Sequence, residues 1–311
     1  MFVSYAQNFE DVILHRALGS VSHGFYIDIG ASHPDIDSVS RSFHENGWRG
    51  IHVEPVPAHA AALRHARPGD VVVEAVVTDE VGTLTFFDVG LGAGISTCSA
   101  EFAERHRAAG FSVSTYPVQQ VSLFDIMNAH VSSDVHWMKI DVEGHEGAVI
   151  RSWRDSNVRP WIVLVESTEP NSMVPNYEDW EPEILRRGYR FVYFDGLNRF
   201  YLAEDHAELA VHFSCGPNLF DNFTVRPHHW LCPPPSPPQS DKQAFVKARN
   251  FIKKTKRKIR KLLGLRAYKI RHSKALPSST LEVAGGHPGK MRVINETLQS
   301  ALKSKVRVQK D

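Results

Sequence analysis

The sequence predicts an α/β protein: a doubly wound, mostly parallel sheet with a terminal antiparallel strand, followed by a basic helical tail. Three observations lead there. Short β-branched runs such as VVVEAVV (71–77) are apolar on both faces, as strands covered by two helical layers must be. Stretches of helical period fall between these runs, the alternation that gives parallel strands. A proline run, Cys232–Ser240 (CPPPSPPQS), then separates this pattern from a strongly cationic segment.

Taken in order, Asp11–Leu18 has the apolar spacing of a helix, and Phe25–Gly30 (FYIDIG) reads as a buried strand ending in a glycine turn. Gly50–Glu54 is the second strand, stopped by Pro55 and Pro57, and Ala58–Ala66 the next helix. Val71–Val77 is expected as one third strand, with a hairpin through Gly82 to Leu84–Phe87. Leu123–Ala129 and Gly147–Trp153 read as helices around the fourth strand, Val135–Ile140; Trp161–Val165 is the fifth. Tyr189–Asp195 and Arg199–Leu202, joined through Gly196-Leu-Asn, form a terminal antiparallel hairpin.

Composition sets the class. Of 311 residues, 42% are hydrophobic and 23% charged, the profile of a globular chain. No apolar run approaches the roughly 20 residues that cross a bilayer, and the opening MFVSYAQNFED turns polar too soon for a secretory signal. Cys98, Cys215 and Cys232 stand apart with no CxxC pair, which argues against a disulfide framework or a cysteine zinc site and points to a reducing cytoplasm. Charge divides the chain: residues 1–240 carry 16 Lys+Arg against 31 Asp+Glu, residues 241–311 carry 20 against 4. The first part would repel a polyanion. The expected units are a domain over 1–231, a semi-rigid polyproline spacer over 232–240, a basic amphipathic helix within 241–275 and a flexible or partly helical tail over 276–311.

In doubly wound sheets ligands bind beyond the carboxyl ends of the strands, so those ends carry the functional reading. The first ends in Asp28-Ile-Gly-Ala-Ser-His-Pro, where Gly30 permits a sharp turn and close approach to a ligand and Asp28 supplies a carboxylate. GxGxxG is missing, which argues against a pyrophosphate cradle and a nicotinamide oxidoreductase. Glu54 ends the second strand, and its two oxygens suit the two hydroxyls of a ribose. Asp79 follows the third strand as an acceptor for an adenine amino group. Any one of these could be a solvated loop acid; three at adjacent strand ends describe a nucleoside pocket. The fourth strand closes in Lys139-Ile-Asp-Val-Glu-Gly-His-Glu146, whose alternation puts Lys139, Asp141 and Glu143 on one face. His145 beside carboxylates is the first candidate for a general base and Asp141 the second, while Asp141 and Glu143 could instead hold Mg²⁺; no metal ligand is assigned. Alternatively Glu143 and Glu146 only complement a helix dipole. Glu166, ending the fifth strand, is a further candidate. Gly90-Leu-Gly-Ala-Gly94 follows the hairpin rather than the first strand and reads as an acceptor loop together with Ile95-Ser-Thr97. Most of the 17 histidines read as surface or packing residues, except His33 in the first turn.

Four segments in this order, SYAQNFEDVIL (4–14), FYIDIGASHP, GWRGIHVEP and above all KIDVEGHE, resemble the FkbM family of S-adenosylmethionine-dependent methyltransferases over roughly residues 3–225. The resemblance implies a class I methyltransferase (Rossmann-like) fold with one antiparallel strand near the sheet edge. It implies O-methylation of a hydroxyl on a glycan, glycolipid or secondary metabolite. By position, Asp28, Gly30 and Ala31 would line the methionine end of the cofactor, Glu54 would hold the ribose, Asp79 would lie near the adenine, and Asp141 to Glu146 would face the reacting centre. Gln7 and Asn8 fit a segment covering the cofactor. The second glycine of a GxGxG loop is missing. A sulfonium cofactor without phosphates suits an acidic cleft lacking a phosphate cradle.

In the tail, Phe245, Ala248, Ile252, Ile259 and Leu262 make an apolar stripe on a cationic helix of about 34 Å. Peripheral contact with anionic lipid at the inner face of the membrane is the favoured reading, ahead of docking on the acidic domain and of nucleic-acid binding. The rival to an enzyme is a non-catalytic methyltransferase-like adaptor that positions this tail.

Overall fold

The computed structural model describes residues 1–90, 94–170, 172–227 and 229–232. Internal contacts divide the chain into Met1–Ser236 and Pro237–Asp311. The proline spacer beyond Cys232, the basic helix and the tail lie outside the described residues.

The chain opens with β1 (Phe2–Ser4) and α1 (Glu10–Leu18). Two β-α-β steps follow through β2 (Phe25–Ile29), α2 (Ser40–Glu45), β3 (Arg49–Val53), α3 (Pro57–Ala66) and β4 (Val71–Val73). β5 (Val76–Val77), β6 (Gly82–Asp88), α4 (Ala100–Ala108) and β7 (Ser114–Val121) come next. The alternation resumes with α5 (Leu123–His130), β8 (Trp137–Ile140), α6 (Glu146–Ser152) and β9 (Ile162–Glu166). α7 (Glu181–Arg186), β10 (Tyr189–Phe194) and β11 (Asn198–Ala203) complete the main sheet, and β12 (Phe223–Val225) follows.

Seven strands form the main sheet in the order β4-β3-β2-β8-β9-β11-β10. All run parallel except β11, which is antiparallel to both β9 and β10. The predicted doubly wound sheet with one reversed strand near its edge is therefore present. Alternation along each strand sorts the core into two layers. Ile27, Ile29, Ile51, Met138 and Val163 face α5, α6 and α7, whereas Tyr26, Trp137, Ile162 and Leu164 face α1 and α2. Burying both faces is what makes these strands continuously apolar.

Two expectations about the third strand need correction. Val71–Val77 is not one strand: Val71–Val73 pairs with β3, and the chain then leaves the main sheet at Glu74, an exposed charge. Val76 and Val77 pair with β7 in a separate three-stranded sheet, order β5-β7-β6. The hairpin through Gly82 does not form either, because β6 pairs along its whole length with β7. β7 (STYPVQQV) escaped notice because its proline and glutamines mask the apolar alternation. The short helices α2, α4 and α7 were missed as well; α4 turns a largely charged face to solvent. Among the described residues, no helix is long and apolar enough to cross a membrane.

Candidate active site

Strand order reverses between β2 and β8: β3 and β4 continue to one side, β9 onward to the other. The loops leaving adjacent strands at such a reversal part and open a crevice. A cavity of about 490 Å³ fills it. Gly30 and Ser32 border it after β2, Glu54 and Pro55 after β3, Asp141, Val142 and Glu143 after β8, and Glu166 and Thr168 at and after β9. Val53, Val56, Val76, Val77, Phe86 and Ile95 supply an apolar wall on the β3–β5 side.

The first turn is held by a backbone contact that only glycine allows. Gly30 has φ +81°, and a Cβ on it would lie 1.8 Å from the Asp141 carbonyl oxygen. The Asp141 N–H donates to the Ile29 carbonyl at 3.0 Å, so the β2 and β8 exits are locked side by side.

Glu54 is 4% exposed and uses one acceptor position on each oxygen: Oε1 takes the Val56 N–H and Oε2 the Ser32 N–H, both at 2.7 Å. A carboxylate offers about four such positions, so two remain for a ligand. Burial pushes this carboxyl up to about 7, against the lowering by its two backbone donors.

The N-terminal segment borders the cavity. The parallel pairing of β1 with β12 anchors it, and Asp11 gathers it by accepting from Ser4 Oγ at 2.6 Å and from the N–H groups of Tyr5 and Ala6 at 2.8 and 3.2 Å. Gln7 and Glu10 thereby reach the cavity wall. Asn8 does not border this cavity; its Nδ2 donates to the Asp195 carbonyl at 3.0 Å, tying the segment to the β10–β11 turn. Glu10, 2% exposed, is raised to about 8 by burial and by Asp195.

After β8 lies the densest charge. Lys139 is buried and pairs with Asp141, while Asp28 stands opposite it on β2. Asp141 and Asp28 hold the lysine charged despite burial, well above its ordinary range. One carboxylate oxygen from each of Asp141, Glu143 and Glu166 lies within 4.8 Å of the others. Burial and the Asp141 charge push the carboxyls of Glu143 and Glu166 well above their usual range. The loop bearing them is fixed from several sides. Glu143 and Gly144 take positive φ (54° and 94°), Thr97 Oγ1 donates to the Glu143 carbonyl at 2.8 Å, and Glu146 accepts the N–H groups of Gly144 and Val142 at 3.0 and 3.3 Å.

Of the residues singled out from sequence, Gln7, Gly30, Glu54, Asp141 and Glu143 converge on this cavity; Asp28, Ala31, Asp79 and His145 do not border it. Asp28 lies within β2 on the face of Tyr26, its carboxylate 3.9 Å from His52 Nδ1. Ala31 is buried with its N–H on the Val53 carbonyl at 3.2 Å. Asp79 follows β5 out of the main sheet and pairs with Arg151 on α6 at 2.7 Å, so the three strand-end acids do not share one pocket. His145 stands away from the cavity for a local reason: β8 ends at Ile140, the left-handed pair Glu143-Gly144 then turns the chain, and the ring sits at the start of α6 near Asp79 and Arg151. Burial lowers its pKa. His33, Gly90, Gly94, Ile95 and Ser96 do line the cavity, whereas Thr97 holds the Glu143 loop from behind. Glu10 and Thr168 were missed. An acid in a helix's first turn reads as a dipole partner, and a threonine past a strand end carries no signal of its own.

The sheet order with its single reversed strand defines the class I methyltransferase fold. Residues 28–191, more than half the chain, match the methyltransferase FkbM domain, and the chain belongs to that family. Among solved structures it is similar to a TehB-like SAM-dependent methyltransferase from Corynebacterium glutamicum, at 7% identity over 62% of this chain and 88% of that one, TM-score 0.35. It is also similar to an O-methyltransferase from Bacillus cereus in complex with SAH, at 12% identity over 64% and 80% of the two chains, TM-score 0.33. No curated protein matches the chain.

Proposed function

We propose that the chain transfers a methyl group from S-adenosylmethionine to a hydroxyl of a glycan, glycolipid or secondary metabolite. The observation that carries this reading is the convergence of Gly30, Glu54 and the Asp141–Glu143 loop on one cavity at the strand-order reversal.

The residues present fit that cofactor. A cavity of about 490 Å³ lies in the range of small-molecule sites. Its apolar β3–β5 wall suits a purine, and the two free acceptor positions of Glu54 suit a ribose diol. The wall brings together the carboxyl groups of Glu10, Glu54, Asp141, Glu143 and Glu166; a cationic ligand is stabilised as these groups ionise, whereas a phosphate finds Lys139 already paired with Asp141. When bound, S-adenosylmethionine supplies an electrophilic methyl on a sulfonium. The protein's own work is placement: Glu54 orients one end, Gln7 and Glu10 close over the other, and the Asp141–Glu143 loop borders the space left for the acceptor. Asp141 and Glu143 are the proposed acceptors of the hydroxyl proton, replacing His145 in that role.

The cationic surplus of residues 241–311 supports peripheral contact with an anionic membrane surface on the cytoplasmic side, through the 241–275 stripe. Retained cavity carboxylates disfavour the adaptor reading, since a binding scaffold has no use for buried, mutually repelling acids.

The test is transfer itself. Full-length protein with methyl-labelled S-adenosylmethionine should label a hydroxylated component of a glycan or lipid extract, with a mass gain of one methylene. Extracts from cells with and without the protein that show no such difference, across glycans, lipids and small metabolites, would count against an O-methyl acceptor of these classes.

A further inference from the structure

The β8–β9 side of the cavity holds more oxygen atoms than the chain satisfies. Glu143 Oε2, Glu166 Oε2 and Thr168 Oγ1 are buried without a hydrogen-bond partner. Glu166 is 8% exposed and Thr168 5%. Each unsatisfied buried group costs about 1–3 kcal/mol, so three on one cavity wall point to a ligand that satisfies them. Thr168 borders the same cavity but is no part of the carboxylate cluster.

We propose that Asp141, Glu143 and Glu166 bind a hard divalent cation at this wall. All the donors are oxygens, the set chosen by Mg²⁺, Ca²⁺ or Mn²⁺ rather than by zinc or copper. Spacing agrees. Three oxygens, each within 4.8 Å of the others, have a common point no more than about 2.8 Å from all three; an inward shift of about 0.4 Å each gives calcium-like lengths and about 0.7 Å the Mg²⁺ length. Charge agrees as well: Lys139 neutralises Asp141, and Glu143 and Glu166, ionised when the ion displaces their protons, match its two charges. An ion held there would polarise an acceptor hydroxyl that coordinates it. That catalytic use rests on the methyl-transfer reading; the binding does not.

The test uses full-length protein stripped with chelator and titrated with Mn²⁺, free ion being followed by electron paramagnetic resonance, with Mg²⁺ and Ca²⁺ as competitors. One Mn²⁺ per chain with Kd at or below about 1 mM is expected. Glu166→Gln and Glu143→Gln should each weaken it about tenfold or more. Both variants relieve repulsion, so a retained or raised melting temperature shows that they fold. Failure of wild-type protein to bind, or binding that both substitutions leave unchanged, overturns the proposal. S-adenosylhomocysteine binding measured on the same samples separates the two readings. Bound nucleoside without Mn²⁺ sinks only the cation site, and Mn²⁺ without nucleoside sinks only the methyl-transfer reading.

Discussion

Gly30 and Asp141 meet backbone to backbone: a Cβ on the glycine would sit 1.8 Å from the aspartate's carbonyl oxygen. That contact sets the separation between the β2 and β8 exits and so the width of the cavity. Gly30→Ala combines a positive-φ penalty of about 1–2 kcal/mol with a backbone clash that no side-chain movement relieves. The expected loss is about 3 kcal/mol or more in urea denaturation. A variant as stable as wild type would show that the two exits can part without cost.

Lys139 is surrounded by acids: Asp141 as its ion-pair partner, Asp28 opposite it on β2, and Glu10 nearby. Removing the cation strands buried negative charge. Lys139→Met is therefore expected to destabilise the fold at neutral pH by about 3–5 kcal/mol in denaturant titrations. An unchanged denaturation midpoint would mean that the charges are not coupled as described.

His145 faces Asp79 and Arg151 rather than the cavity. His145→Ala should leave methyl transfer within about threefold of wild type, while Glu143→Gln lowers it by about 10²-fold. A tenfold or greater loss in the histidine variant alone would return it to the reacting centre.

If Glu54 holds the ribose as proposed, the cofactor affinity has a pH dependence of defined sign. Its carboxyl is raised to about 7 by burial. The protonated form holds one oxygen's acceptor position back from a ribose hydroxyl, so only the ionised form takes both donors. Affinity for S-adenosylhomocysteine should rise with pH through about 7 and level off by about pH 8, losing up to tenfold per unit below the midpoint. Calorimetry across this range checks it, with Glu54→Gln expected to flatten the profile; a wild-type affinity that falls as pH rises would contradict it.

The sheet was legible because burial on both faces leaves unbroken β-branched runs, and because Gly30 and Gly196 mark where strands turn. The three-stranded side sheet was not. Val71–Val77 looks like one strand until Glu74 meets solvent, and β7 hides its pairing behind Pro117 and two glutamines. Around the cavity, Glu54, Asp141 and Glu143 could be read because they follow strands that stay in the main sheet. Asp79 and His145 stand away from it for one underlying reason: residue spacing says where a strand ends but not which way the chain turns afterwards. Asp79 leaves with β5, and His145 is turned aside by the left-handed Glu143-Gly144 pair. Glu10 reaches the cavity only through the long-range pairing of β1 with β12, which no local pattern announces.

Titration calorimetry of S-adenosylhomocysteine into wild-type protein and Glu54→Gln, with NAD as a control, bears most directly on the whole account. One molecule per chain should bind wild type, with affinity lowered about 30-fold or more in the variant, the worth of two hydroxyl bonds to a carboxylate, and NAD should give no heat. Wild-type protein that ignores S-adenosylhomocysteine at millimolar concentration, or a Glu54→Gln variant that binds it as tightly, would mean that the cavity at the strand-order reversal is not a nucleoside site.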